Sequence, residues 1–216
     1  MLWKKMKKIG LFGGTFNPLH NGHLQLAEFA AAQCQLDQVV FLPAASPPHK
    51  KGDEIVPFSH RAEMIRLACS RNKRFSCNTI EQDLARPSYT VDTLQALKTS
   101  PLYKSEAQFF FLIGVDAFIE LKTWKAYRDL LSEINFILCP RKLFSRTQTV
   151  LFLTELGFVQ TPLGWEHSSY LTLYELEGAP DQVSSTEVRR TFEKSGDLYQ
   201  KLPPTVADYI MKHGLY

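Results

Sequence analysis

Apolar residues follow two rhythms along this chain. Short unbroken stretches suit buried strands, and spacings of three to four residues suit helices packed on one face. The first stretch, residues 9–12, stops at Gly13-Gly14, after which Leu24, Ala27, Ala31 and Cys34 share a helical face. Residues 39–42 predict a second strand, followed by a proline-rich loop over 43–57 and a helix that Ser59 can cap, with Met64, Ile65 and Ala68 inward. Residues 75–80 predict a strand, 90–98 a helix with Leu94 and Leu97 on one face, and 109–113 a strand buried on both sides. Then come a helix over 127–133, a strand over 136–139, a helix over 147–156 ended by Gly157, and a last strand over 171–176. Ser184 three residues ahead of Glu187 marks a capping box whose helix turns Val188 and Phe192 inward. Pro204 opens a final helix, with Val206, Tyr209 and Ile210 inward and Gly214 at its end. This alternation predicts an α/β fold: a doubly wound parallel sheet with helices on both faces and C-terminal helices appended.

With 216 residues, 44% of them hydrophobic, the chain can bury one sizeable core, which predicts a single domain over 1–216. Lys4, Lys5, Lys7 and Lys8 read as a solvated extension ahead of the first strand, with residues 1–6 outside the packed domain. A net charge of only +3 argues against duplex nucleic acid as a partner and suits small anionic substrates held in a local basic pocket. Cys34, Cys69, Cys77 and Cys139 contain no Cys-x-x-Cys pair, so neither a zinc ribbon nor a disulfide framework is indicated. The longest apolar run, 109–115, is too short for a membrane span and the first residues lack a secretory pattern. A cytoplasmic protein is expected, with self-association into a homo-oligomer left open.

In an open α/β sheet, ligands bind beyond the carboxyl ends of the strands, and the first strand-to-helix loop usually contributes. Here that loop is Gly13-Gly14-Thr15-Phe16-Asn17-Pro18-Leu19-His20-Asn21-Gly22-His23. Its glycines let backbone approach a ligand, and the helix starting near Asn21 or Gly22 aims its positive end at the same place, so a phosphate is expected there. His20 and His23 bracket the helix start and can donate hydrogen bonds to charge building on a phosphoryl oxygen. A lone histidine would read as a surface or capping residue, but two in such a loop point to function. Zinc held by His20, His23 and His49 is a further option without a supporting ligand set. The loop ends in no Gly-Lys-Ser/Thr and lacks Gly-x-Gly-x-x-Gly, so the P-loop proteins and the dinucleotide-dependent oxidoreductases lose their main support.

The same residues resemble the Thr-Phe-Asp-Pro-x-His-x-Gly-His signature of the nucleotidylyltransferase superfamily, with Asn17 where an aspartate is usual. Further segments resemble the nicotinate mononucleotide adenylyltransferases in particular. Pro47-Pro48-His49-Lys50 is similar to a loop that places a lysine near the phosphates, and Ser88-Tyr89-Thr90-Val91-Asp92-Thr93 is similar to a helix start that presents amides to a carboxylate. Gly114-Val115-Asp116 and Trp124 resemble the segment that surrounds and stacks on the pyridine ring. Val183-Ser184-Ser185-Thr186-Glu187-Val188-Arg189 resembles the second superfamily signature, where hydroxyls, amides and a guanidinium gather on the ATP phosphates. The resemblance runs from about Lys7 onward and is weakest over 143–178, and Pro140-Arg141-Lys142 lacks the usual Arg-Pro-Gly.

The resemblance implies a Rossmann-like sheet and an enzyme that attaches the adenylyl group of ATP to nicotinate mononucleotide and releases pyrophosphate, a step of NAD biosynthesis. His20, His23 and Lys50 are the expected catalytic residues. Gly13, Gly14, Thr15, Phe16, Ser184, Ser185, Thr186 and Arg189 would bind ATP, and Asn17, Thr90, Asp116 and Trp124 the mononucleotide. Mg²⁺ would arrive with ATP, bridging its oxygens without a protein cage. Two rivals stand beside this reading: a sister transferase acting on nicotinamide mononucleotide, phosphopantetheine or a cytidylyl acceptor, and a nucleotide sensor that keeps the fold without the reaction.

Overall fold

The computed structural model describes residues 6–47, 55–103, 107–141, 145–178, 184–195 and 198–216. Its centre is a sheet in which β1 (Lys7–Gly14), β2 (Gln38–Pro43), β3 (Phe75–Cys77), β4 (Ala107–Gly114), β5 (Asn135–Cys139) and β8 (Leu173–Glu175) all pair in parallel. β6 (Val159–Thr161) and β7 (Gly164–Glu166) form a hairpin that adds to β8 antiparallel. The spatial order is β3-β2-β1-β4-β5-β8-β7-β6, so the chain grows outward in one direction from β1 and then reverses to continue from β4. The crevice at that reversal lies over the ends of β1 and β4, where open sheets of this kind bind ligands.

Successive residues of the central strands face opposite layers, which gives two separate cores. Phe12, Phe41, Phe110, Leu112 and Ile137 pack beneath α1 (Asn21–Gln33), α2 (Phe58–Cys69), α7 (Ser185–Ser195) and α8 (Pro204–His213). Leu11, Val40, Phe111, Phe136 and Leu138 face the other layer, made by α3 (Thr90–Thr99), α4 (Val115–Ile119), α5 (Tyr127–Glu133) and α6 (Arg146–Glu155). Strands buried on both sides read as continuous apolar runs for this reason. The fold is α/β, mostly parallel, with helices on both faces.

Several expectations shift. Lys7 and Lys8 belong to β1 rather than to an extension, and residues 1–5 lie outside the described residues. α2 begins at Phe58 with Pro57 as its capping residue, not Ser59; the extended Pro57 carbonyl accepts from the amides of His60 and Arg61. β3 stops at Cys77 because the Asn78 side chain accepts from the Ile80 amide at 2.9 Å, turning the chain into a short 3-10 turn over Ile80–Asp83. The last parallel strand shrinks to Leu173–Glu175. The β6–β7 hairpin was not expected, since its three-residue strands are too short and too exposed to show a period. Gly157 and Gly214 do follow α6 and α8 in the left-handed conformation, as helix ends.

Candidate active site

A cavity of about 610 Å³ opens at the carboxyl ends of β1 and β4, and its lining includes Gly13, Gly14, Thr15, Phe16, His20 and His23 from the first loop. The start of α3 contributes Tyr89 and Thr90, and the segments after β4 and β5 contribute Asp116, Trp124, Lys125 and Arg141. The topology thus brings together groups that sequence reasoning had placed in three separate segments, and adds Arg141 from a fourth.

The first loop leaves β1 with Phe16 at φ 48°, a left-handed conformation that costs a bulky residue about 1–3 kcal/mol. Burial of its ring offsets this, because Phe16 packs edge-on against Phe12, Phe41 and His23, with ring centroids 5.6, 5.7 and 5.0 Å away. Full burial of such a ring stabilises by about 1.5–3 kcal/mol. Gly14 leaves the room for it, since a Cβ there would meet the Phe16 ring at 3.0–3.2 Å.

His20 is 3% exposed and stacks on His23 with ring centroids 3.6 Å apart. The His20 amide donates to His23 Nδ1 at 3.3 Å, which leaves the His23 ring proton on Nε2. Burial, then the Arg141 cation, push the His20 imidazole down to about 4 against the opposing pull of Glu187, so it stays neutral at physiological pH. Its Nδ1 is buried with no hydrogen-bond partner among the described residues. Two rings stacked face to face do not converge their nitrogens on one cation, and among the described residues no three His, Cys, Asp or Glu side chains gather as a metal site.

Across the cavity, Asp116 Oδ1 and Arg141 Nε lie 3.2 Å apart. Gly114 makes this pair possible: a Cβ there would collide with both the carboxylate and the guanidinium. Trp124 stands edge-on to Phe111, centroids 6.3 Å apart, and lines the same space. Thr90 is the first residue of α3, whose start carries no described side-chain cap. Glu81 ties two walls together, accepting from the Ala45 amide at 3.2 Å and the Thr93 hydroxyl at 3.0 Å. Ser46 and Ser88 are bonded twice, so the loop after β2 is fixed to the approach of α3. Lys50 lies outside the described residues.

Asn17 and the α7 residues do not line this cavity. Asn17 is 3% exposed and its Oδ1 accepts from the Val56 amide at 3.1 Å and the Tyr216 hydroxyl at 2.7 Å, behind the loop. From α7, the Ser185 hydroxyl donates to the Pro18 carbonyl at 3.0 Å, and Arg189 donates to the Asn17 carbonyl at 2.7 Å and lies 3.5 Å from the Thr186 hydroxyl. Ser184 Oγ accepts from the Glu187 amide at 3.1 Å, the expected cap, while the Glu187 carboxylate turns to Lys201. The α7 start is therefore docked against the first loop. Sequence reasoning missed Arg141, Glu81 and Arg61. Arg61, 2% exposed, braces the loop from α2 by donating to the Thr15 carbonyl at 2.7 Å and the Val56 carbonyl at 2.9 Å. For Arg141 one signal was present: a cation two residues after a buried strand, at the ligand-binding edge of the sheet.

Residues 11–191 match the cytidylyltransferase-like family. The "Probable nicotinate-nucleotide adenylyltransferase" of Trichlorobacter lovleyi is 38% identical over 97% of this chain and 99% of its own length. The protein of the same name from Pelobacter propionicus is 35% identical over 97% and 98%. Among solved structures, the nicotinic acid mononucleotide adenylyltransferase of Plasmodium falciparum complexed with NaAD superposes with a TM-score of 0.74, covering 97% of each chain at 19% identity, which bears on the fold alone.

Proposed function

Because the chain belongs to the cytidylyltransferase-like family and, within it, to the nicotinate-nucleotide adenylyltransferases, we propose that it transfers the adenylyl group of ATP to nicotinate mononucleotide. The products are nicotinate adenine dinucleotide and pyrophosphate, and the reaction is a step of NAD biosynthesis. One observation carries the reading: a single cavity joins the His20–His23 helix start, the uncapped start of α3, Trp124 and Arg141.

The acceptor's phosphate oxygen attacks the α-phosphorus of ATP, a new P–O–P linkage forms, and the bond to the bridging oxygen breaks with its electron pair leaving on pyrophosphate. The attacking phosphate has a second pKa of about 6 and is already anionic at neutral pH, so no general base is required. Catalysis reduces to positioning and to stabilising charge on the phosphoryl oxygens. His23 Nε2–H and the neutral His20 ring serve as donors at the α-phosphate, and Arg141 adds a fixed cation beside them. Lys50 completes the phosphate contacts, while Ser184, Ser185, Thr186 and Arg189 hold the outer phosphates from α7. Gly13, Gly14, Thr15 and Phe16 supply backbone at close range. Thr90 at the start of α3 receives the nicotinate carboxylate, and Asp116 and Trp124 flank the pyridine ring. Mg²⁺ enters on the triphosphate as the metal–nucleotide substrate.

No helix among the described residues is long and apolar enough to cross a membrane. We place the enzyme in the cytoplasm, where its free thiols persist. Pyrophosphate release from ATP and Mg²⁺, with nicotinate mononucleotide, nicotinamide mononucleotide and phosphopantetheine offered separately, tests the reading. Preference for the first is expected. Preference for another discards this acceptor, and ATP binding without release from any of the three supports the sensor.

A further inference from the structure

The start of α3 carries an internal conflict. Asp92 sits in its first turn, which suits the helix dipole, yet a fixed carboxylate there repels an acceptor carboxylate bound at the same helix end. Lys125 resolves it: its Nζ lies 2.9 and 2.8 Å from the two Asp92 oxygens and 4.9 Å from the centroid of the Tyr89 ring, which directly precedes α3. Lys125 also lines the cavity together with Trp124, Thr90 and His20. We propose that Lys125 determines specificity: by neutralising Asp92 it keeps the α3 start receptive to an anionic pyridine carboxylate and so favours nicotinate over the uncharged carboxamide. The proposal rests on the nicotinate reading above and names the residue that enforces it.

The alternative is a brace, in which the pair only ties the Trp124 segment to α3. The two differ in their dependence on substrate charge. A lost brace weakens both mononucleotides alike, whereas an unmasked Asp92 weakens only the charged one. Both partners are partly exposed, with side chains 49% and 37% accessible, so their variants should fold.

The test measures, by isothermal calorimetry, the dissociation constants of nicotinate and nicotinamide mononucleotide for the wild-type protein, Lys125→Met, and Lys125→Met with Asp92→Asn. Lys125→Met is expected to weaken nicotinate mononucleotide by about ten-fold and nicotinamide mononucleotide by less than about two-fold, from one uncompensated charge at a half-exposed site. Adding Asp92→Asn removes that charge and should return the nicotinate constant to within about three-fold of wild type. Equal weakening of both mononucleotides, or no recovery in the double variant, overturns the proposal. A wild-type preference kept in full by Lys125→Met overturns it while sparing the nicotinate reading. A wild-type protein that binds both equally overturns that reading and the proposal with it.

Discussion

His20 should make the protein acid-sensitive in a way that one substitution removes. Burial and the Arg141 cation lower its imidazole from 6.5 to about 4 in the folded chain, while the unfolded chain keeps the ordinary value. Between those values the unfolded state binds the proton and the folded state does not, so stability rises with pH across this window and falls as acid is added. The full difference corresponds to about 3 kcal/mol. At pH 5 about 2 kcal/mol of it is already lost, and at pH 7.5 almost none. Urea unfolding of the wild type and of His20→Gln at both pH values isolates the effect, because other titrating groups cancel in the double difference. With a slope of about 3 kcal/mol per molar urea, the wild-type midpoint should fall by about 0.7 M more than that of the variant between pH 7.5 and pH 5. Parallel losses in the two proteins, within about 0.5 kcal/mol, would refute the claim that a buried neutral His20 couples folding to protons.

Two further outcomes follow from the cavity. His23→Ala removes the donor proposed to act on the reacting phosphate, so turnover should fall about 100-fold with ATP affinity little changed, and steady-state kinetics beside ATP binding measure the split. Gly114→Ala keeps an allowed backbone, φ −66°, but drives a methyl group into Asp116 and Arg141, so kcat/KM should drop at least about ten-fold. The thermal midpoint should move by only about 2–4 °C, because that ion pair is 40% and 45% exposed and worth about 1 kcal/mol or less.

What was legible in the sequence were features whose chemistry is local. The double glycine, the two histidines and the Ser184 cap each act within a few residues, and the structure keeps them at the ends of β1 and α7. The buried strands were legible because burial on both faces leaves an unbroken apolar run. Residues whose work is done by reaching across the fold were not. Arg61 lies on a helix face that reads as half-polar, and only the folded chain shows its guanidinium against the Thr15 carbonyl, 46 positions earlier. Glu81 looks like one of many surface acids until Ala45 and Thr93 are seen to converge on it. Asn17 was expected to bind the mononucleotide; its Oδ1 accepts from the Val56 amide and the Tyr216 hydroxyl, partners that motif matching alone does not report.

Those contacts bear on how the first loop is held. Phe16 occupies a strained conformation, and the carbonyls on either side of it, those of Thr15 and Asn17, are gripped by Arg61 and Arg189. The contacts behind the loop span most of the chain: Ser185 to Pro18 across 167 positions, Arg189 to Asn17 across 172, and Tyr216 to Asn17 across 199. Charge-assisted donors at these part-buried carbonyls each contribute about 1.5–3 kcal/mol, enough to hold a backbone strain of about 1–3 kcal/mol. The loop geometry is therefore a property of the completed fold, not of residues 13–23 alone. Asn17 works in this frame as an acceptor for two donors, and a carboxylate would accept the same pair. The amide that departs from the family signature thus preserves the acceptor that the Val56 amide and the Tyr216 hydroxyl use at this position.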